Sequence, residues 1–181
     1  MKAEHPEVLP ERGDSAATPA AEGGPAPVSP ATRVRACLVV LGGEQFAIDV
    51  RRLREVMLVG SPTVVPGAPS FVRGVANLRG EVITLLDIAP VLGLPACGVG
   101  PMSKALVLEP ASSQVAIVVD EVVGLETFDE FRSHDDPVPA TRAAFGVGWL
   151  EREGRLLTLL DVPEAVETLR IRAREAAASR G

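Results

Sequence analysis

Histidine, cysteine and lysine beside glycine are the residue types that could carry chemistry in this chain of 181 residues, which has 2 His and 2 Cys. His134 stands in a polar loop beside Asp135 and Asp136, and His5 lies in a Pro-rich N-terminal stretch. A histidine next to carboxylates can ligate a metal, but no His-x-His or His-x-x-x-His spacing completes a ligand set. A solvated loop is the expectation there. Cys37 and Cys97 share no Cys-x-x-Cys spacing, so neither zinc nor redox chemistry is signalled. Cys37 reads as a small hydrophobe in a strand.

Gly98 to Lys104, GVGPMSK, has glycines and a lysine at the wrong spacing to cradle phosphate, and it reads as a linker. No Gly-x-Ser-x-Gly or dinucleotide fingerprint is present. With no Tyr and 1 Trp, aromatic platforms for bases or sugars are missing. Among 24 acidic residues no pair stands out. No catalytic residue, metal site or cofactor is expected, and an enzyme is not.

The elements that would position any site are short and β-rich. Hydrophobic residues make up 46% of the chain, enough for a core, and the net charge of -6 argues against nucleic acid. Arg172, Arg174 and Arg180 are interleaved with Ala and Glu and read as a solvated helix face. No apolar run approaches the ~20 residues that span a bilayer, and Met1 to Pro6 does not read as a signal peptide. No membrane insertion is expected, and the expected location is the cytoplasm. Residues 1–33 carry five prolines from Pro10 to Pro30 and no aromatic residue, the composition of a disordered tail.

From Val34 short apolar runs are broken by Gly and Pro. Cys37–Leu41, the pair Gly42-Gly43 and Gln45–Val50 form a hairpin signature. Asp49 then caps one helical turn carrying Leu53 and Val56 on one side. Met57–Val59 and Thr63–Val65 read as further strands, and Val75–Leu78 and Glu81–Leu86 as a hairpin turning at Arg79-Gly80. Short strands at this spacing predict a small barrel.

The second half repeats the first. Phe71–Asp87, FVRGVANLRGEVITLLD, aligns with Phe145–Asp161, FGVGWLEREGRLLTLLD, at an offset of 74. Phe46–Val50 aligns with Val115–Val119 at an offset of 69. A duplicated β unit follows, with subdomains over about 35–100 and 101–162 inside a body of 34–162. Asp161 with Glu164 is a capping-box variant, and Pro163 suits a first turn, so residues 163–181 form a C-terminal helix. Its apolar stripe is Val162, Val166 and Leu169.

Arg79 sits at a hairpin tip beside Gly80, whereas the repeat counterpart keeps the glycine and replaces the arginine with Glu153. The turn therefore does not require the charge. Phe46-x-Ile48-Asp49, Glu55-Val56, Pro69-x-Phe71-Val72-Arg73-Gly74-Val75-x-Asn77-Leu78-Arg79-Gly80, Asp87 and Ile117–Asp120 together resemble the CheW-like coupling proteins of bacterial chemotaxis. The resemblance covers about 35–165. It implies an all-β fold of two similar five-stranded SH3-like β-barrel subdomains plus the C-terminal α-helix.

It also implies a non-catalytic adaptor that couples chemoreceptor cytoplasmic tips to the regulatory domain of a CheA-type histidine kinase, at membrane-associated receptor arrays. By position, a receptor groove between the subdomains uses Leu53, Glu55, Val56, Ala116, Val122 and Leu125. The kinase side includes Asn77, Leu78, Arg79 and Gly80, and Glu55 and Arg79 are expected to form an ion pair. Glu121, Gly124, the Pro-rich tail and the Arg-rich helix depart from the pattern. The alternative is a kinase regulatory-domain-like or hybrid component of another chemosensory pathway.

Overall fold

A computed structural model of the chain describes residues 33–109, 114–133 and 145–178. The expected tail, His5 and the His134 loop lie outside these residues. Gly42 and Gly43, both at positive φ, turn β1 (Val34–Leu41) into β2 (Glu44–Asp49). The Asp49 carboxylate accepts the Arg51 N–H at 2.9 Å and caps a 3-10 turn, Val50–Arg52. That turn is shorter than expected. Leu53 and Val56 belong instead to β3 (Leu53–Leu58), drawn into extended backbone by pairing with β6.

The order continues with β4 (Val72–Leu78), β5 (Glu81–Leu86), β6 (Lys104–Leu108), β7 (Val115–Val119) and β8 (Glu121–Phe128). It ends with β9 (Phe131–Ser133), β10 (Gly146–Arg152), β11 (Arg155–Leu160) and α1 (Val162–Ala178). Thr63–Val65 is no strand. Only Thr63 bridges, to Val75, because Pro62 and Pro66 lack the N–H groups a ladder needs.

The strands make two mixed sheets, ordered β8-β1-β2-β11-β10-β9 and β3-β6-β7-β5-β4. This corrects the expectation of two five-stranded SH3-like barrels: neither ladder closes among the described residues, and one sheet has six strands. Side chains bridge what the backbone leaves open. Arg54 of β3 meets Glu81 of β5 at 3.0 Å, and Arg152 of β10 meets Glu126 of β8 at 2.8 Å. Each sheet thus curls far enough for an ion pair between its distant strands.

The duplication is visible in the registers. Val72 pairs with Leu86 and Leu78 with Glu81, while Gly146 pairs with Leu160 and Arg152 with Arg155, all 74 residues apart. Both hairpins have a register shift at the same place, Val72/Gly74 and Gly146/Gly148. The repeats nevertheless trade strands. One sheet takes β1 and β2 with β8–β11, and the other takes β3–β5 with β6 and β7, so the sheets are not consecutive halves of the chain.

The reason lies in two strands that are apolar on both faces. β7, VAIVV, is buried throughout. In β1, Val34, Ala36 and Leu38 enter a smaller core with Phe128, Leu150 and Leu157, while Cys37, Val39 and Leu41 enter a larger one with Ile83, Leu106 and Ile117. A strand without a polar face must lie between two layers. β1 contacts β7, and the Asp120 N–H donates to the Val40 carbonyl at 3.0 Å, tying one sheet to the other.

The helix covers the larger core with Val162, Ala165, Val166 and Leu169, spaced at helical period. The Asp161 side chain accepts the Glu164 N–H at 3.1 Å, the expected cap. Both cysteines are free and buried. Burial raises the Cys37 thiol pKa, and burial followed by the charge of Asp87 pushes Cys97 up to about 12. Thiolate is the reactive form. At pH 8 the native protein should therefore give almost no reaction with an aromatic disulfide reagent, and the denatured protein should give two thiols. Because the folded value of Cys97 exceeds its ordinary 9.0, its contribution to stability is complete below pH 9 and falls as pH rises toward 12.

Candidate protein-interaction site

The site begins with two bulges at equivalent positions. In β3, Leu53 lies opposite Leu108 and Glu55 opposite Val107, so Arg54 has no cross-strand partner. In β8, Val122 lies opposite Val39 and Gly124 opposite Leu38, so Val123 has none. Arg54 and Val123 are 69 residues apart, as the repeat requires. Each bulge inserts one residue and keeps the apolar pair around it on one face. Leu53 and Val56 face the side of β6 that carries Leu108 and Leu106, and Val122 and Leu125 face the side of β1 that carries Val39 and Cys37.

Leu53 and Val122 are half-buried against the larger core, whereas Val56 is 47% and Leu125 61% exposed. Four of the expected groove residues thus form two equivalent pairs on β3 and β8, each an outer strand of its sheet. Ala116 does not join them. It lies in β7 between β5 and β6 with 0% exposure, so no partner can reach its side chain. Nothing in the sequence around Ala116 separates a core position from a groove position.

Glu55 belongs with the β4–β5 tip rather than with that groove. Its Oε2 stands 3.1 Å from Arg79 Nη2, the expected ion pair. Arg79 is at φ 53° and Gly80 at 92°, while the Asn77 side-chain oxygen accepts the Gly80 N–H at 3.0 Å. Glu153 at φ 50° and Gly154 at 75° repeat the turn in the second unit. Arg54 and Glu81 complete a shallow cleft with Glu55, Leu78 and Arg79. Sequence reasoning missed these two. Their only signal was charge beside an apolar strand, which a solvated face also shows.

Among the described residues no group of three or more His, Cys, Asp or Glu is placed to hold a metal ion. The arrangement offers an exposed guanidinium, a backing carboxylate and two apolar strand pairs, the materials of a protein interface.

A family model described as CheW-like domain matches residues 35–170, and the chain belongs to that family. Protein PilI of Pseudomonas aeruginosa is 30% identical over 115 residues, covering 62% of this chain and 65% of PilI, just under two thirds of that relative. Chemotaxis protein CheW of Rhizobium meliloti is 29% identical over 124 residues, 67% of this chain and 80% of that protein. The crystal structure of scaffolding protein TtCheW from Thermoanaerobacter tengcongensis superposes with a TM-score of 0.61 at 24% identity, covering 71% and 89% of the two chains. The fold is shared.

Proposed function

We propose that this protein is a non-catalytic coupling adaptor of a chemosensory pathway. It joins the cytoplasmic tips of chemoreceptors to the regulatory domain of a CheA-type histidine kinase, in the cytoplasm at receptor arrays. The relatives named for chemotaxis and scaffolding support this reading. No helix among the described residues is long and apolar enough to cross a membrane. On this proposal Leu53, Val56, Val122 and Leu125 face the receptor, and Asn77, Leu78, Arg79 and Gly80 face the kinase, with Glu55 backing Arg79.

Arg79 carries the reading. A non-glycine residue in the left-handed region costs roughly 1 kcal/mol. A two-residue turn of this kind favours Asn at that position. The arginine stands against that preference, its side chain is 79% exposed, and Glu153 shows that the turn tolerates the opposite charge. An exposed cation that the turn does not require supports a binding role for Arg79.

Arg79→Asn separates stability from binding. The better turn residue gains about 0.5–1 kcal/mol, and the lost exposed pair gives up a similar amount. The variant should therefore melt within a few degrees of wild type. In titration calorimetry it should bind a CheA-type regulatory domain roughly tenfold more weakly while keeping its affinity for a receptor tip hairpin. If wild type binds neither partner at any salt concentration, the coupling role is wrong.

A further inference from the structure

We propose that Arg54 is a positioning residue of this surface, one that takes over Glu55 when Arg79 turns outward to a carboxylate on the partner. The inference rests on the binding role given to Arg79 above. Arg54 fills the β3 bulge, where the second repeat has Val123. The bulge therefore accepts an apolar side chain, and the fold does not demand an arginine there.

The placement of its donors is informative. Arg54 Nη2 donates to Glu81 Oε2 at 3.0 Å, which anchors the guanidinium between β3 and β5. Its Nε is buried and makes no hydrogen bond. A buried N–H without an acceptor has lost its water and gained nothing in exchange. Glu55 Oε1 stands 3.5 Å from that Nε, just beyond hydrogen-bonding range, while Glu55 Oε2 is held by Arg79.

Glu55 thus has two cationic neighbours, the nearer one Arg79. Arg79 is 79% exposed, and Arg54 only 22%. When the exposed arginine leaves, a shift of about half an ångström brings Glu55 onto the unsatisfied Nε. The hydrogen bond gained offsets the exposed ion pair lost, so release of Arg79 costs little. A guanidinium with its donors turned outward pairs best with a carboxylate in fork geometry. The partner surface opposite Arg79 is therefore acidic.

The test uses the full-length protein with 15N-labelled arginine at pH 6, where Nε–H protons can be observed. In Arg79→Ala the Arg54 Nε–H should move downfield and exchange about fivefold more slowly than in wild type, the equivalent of one net hydrogen bond. Saturating wild type with a CheA-type regulatory domain should produce the same signature. Arg54→Leu should keep the wild-type melting temperature and bind that domain roughly tenfold more weakly, and Arg54→Lys, which has no Nε–H of this kind, should restore little of the affinity. An Arg54 signal unchanged by Arg79→Ala overturns the hand-over, as does equal affinity of wild type and a folded Arg54→Leu. The first measurement needs no partner, so failure of wild type to bind overturns the coupling role alone.

Discussion

Gly74→Ala should lower the melting temperature by on the order of 10 °C, and Gly148→Ala should do the same, although neither glycine is among the proposed binding residues. Both occupy the bulge that opens a duplicated hairpin. A Cβ on Gly74 would lie 2.5 Å from the carbonyl oxygen of Thr63, and the residue is at φ +128°. Thr63 and Val75 exchange two backbone hydrogen bonds of 2.8 Å beside it, so the chain cannot back away without breaking them.

At Gly148 a Cβ would collide with the carbonyl oxygen of Arg132 and the ring of Phe131, both in β9. Overpacking against backbone and left-handed strain cost about 1–3 kcal/mol each, giving about 2–6 kcal/mol at Gly74. Gly80→Ala is the control. Its φ is +92° but nothing lies within 4 Å of its Cβ position, so it should lose only about 1 kcal/mol. Thermal melts of the three variants decide the matter. Equal losses at Gly74 and Gly80 would mean that backbone conformation alone, not close approach, selects glycine.

Asp87→Ala should be the second large effect, about 2–6 kcal/mol by urea denaturation, because it strands two buried donors at about 1–3 kcal/mol each. Asp87 is 1% exposed, and its two oxygens accept the Ala89 N–H at 3.1 Å and the Cys97 N–H at 2.9 Å. One side chain therefore closes the turn after β5 and pins the loop that leads to β6. Its repeat counterpart is Asp161, half-buried, accepting the Glu164 N–H as a helix cap. Asp161→Ala should cost only about 1 kcal/mol. A loss at Asp161 equal to that at Asp87 would show that buried satisfaction is not what distinguishes them.

This pair shows how far the sequence could be read. The shared Thr-Leu-Leu-Asp marked both aspartates as equivalent, and the cap at Asp161 followed from Glu164 and Pro163. That Asp87 is buried under residues ten positions away did not follow, because no local pattern records a distant loop folding back. The same holds at the candidate site. Arg79 and Glu55 were legible, one from a turn position that its repeat filled differently, the other from the family resemblance. Arg54 was not, because its importance comes from Glu81, 27 residues on and brought close only by the curl of the sheet. Ala116 failed in the other direction, since an alanine in an apolar run looks the same in a core and in a groove.

The sequence by itself determined whatever depends on neighbours along the chain. Glycine-containing turns set the hairpins, short apolar runs between Gly and Pro set the strands, capping residues set the turn at Asp49 and the start of α1, and the offsets of 74 and 69 disclosed the duplication. Tertiary structure alone decided which strands share a sheet. β1 and β7 are apolar on both faces and must be covered twice, so the repeats exchange strands instead of closing separately. It also decided that bulges at Arg54 and Val123 bring Leu53 with Val56, and Val122 with Leu125, onto common faces. Burial is a property of what lies across the gap, and the chain carries no local mark of it.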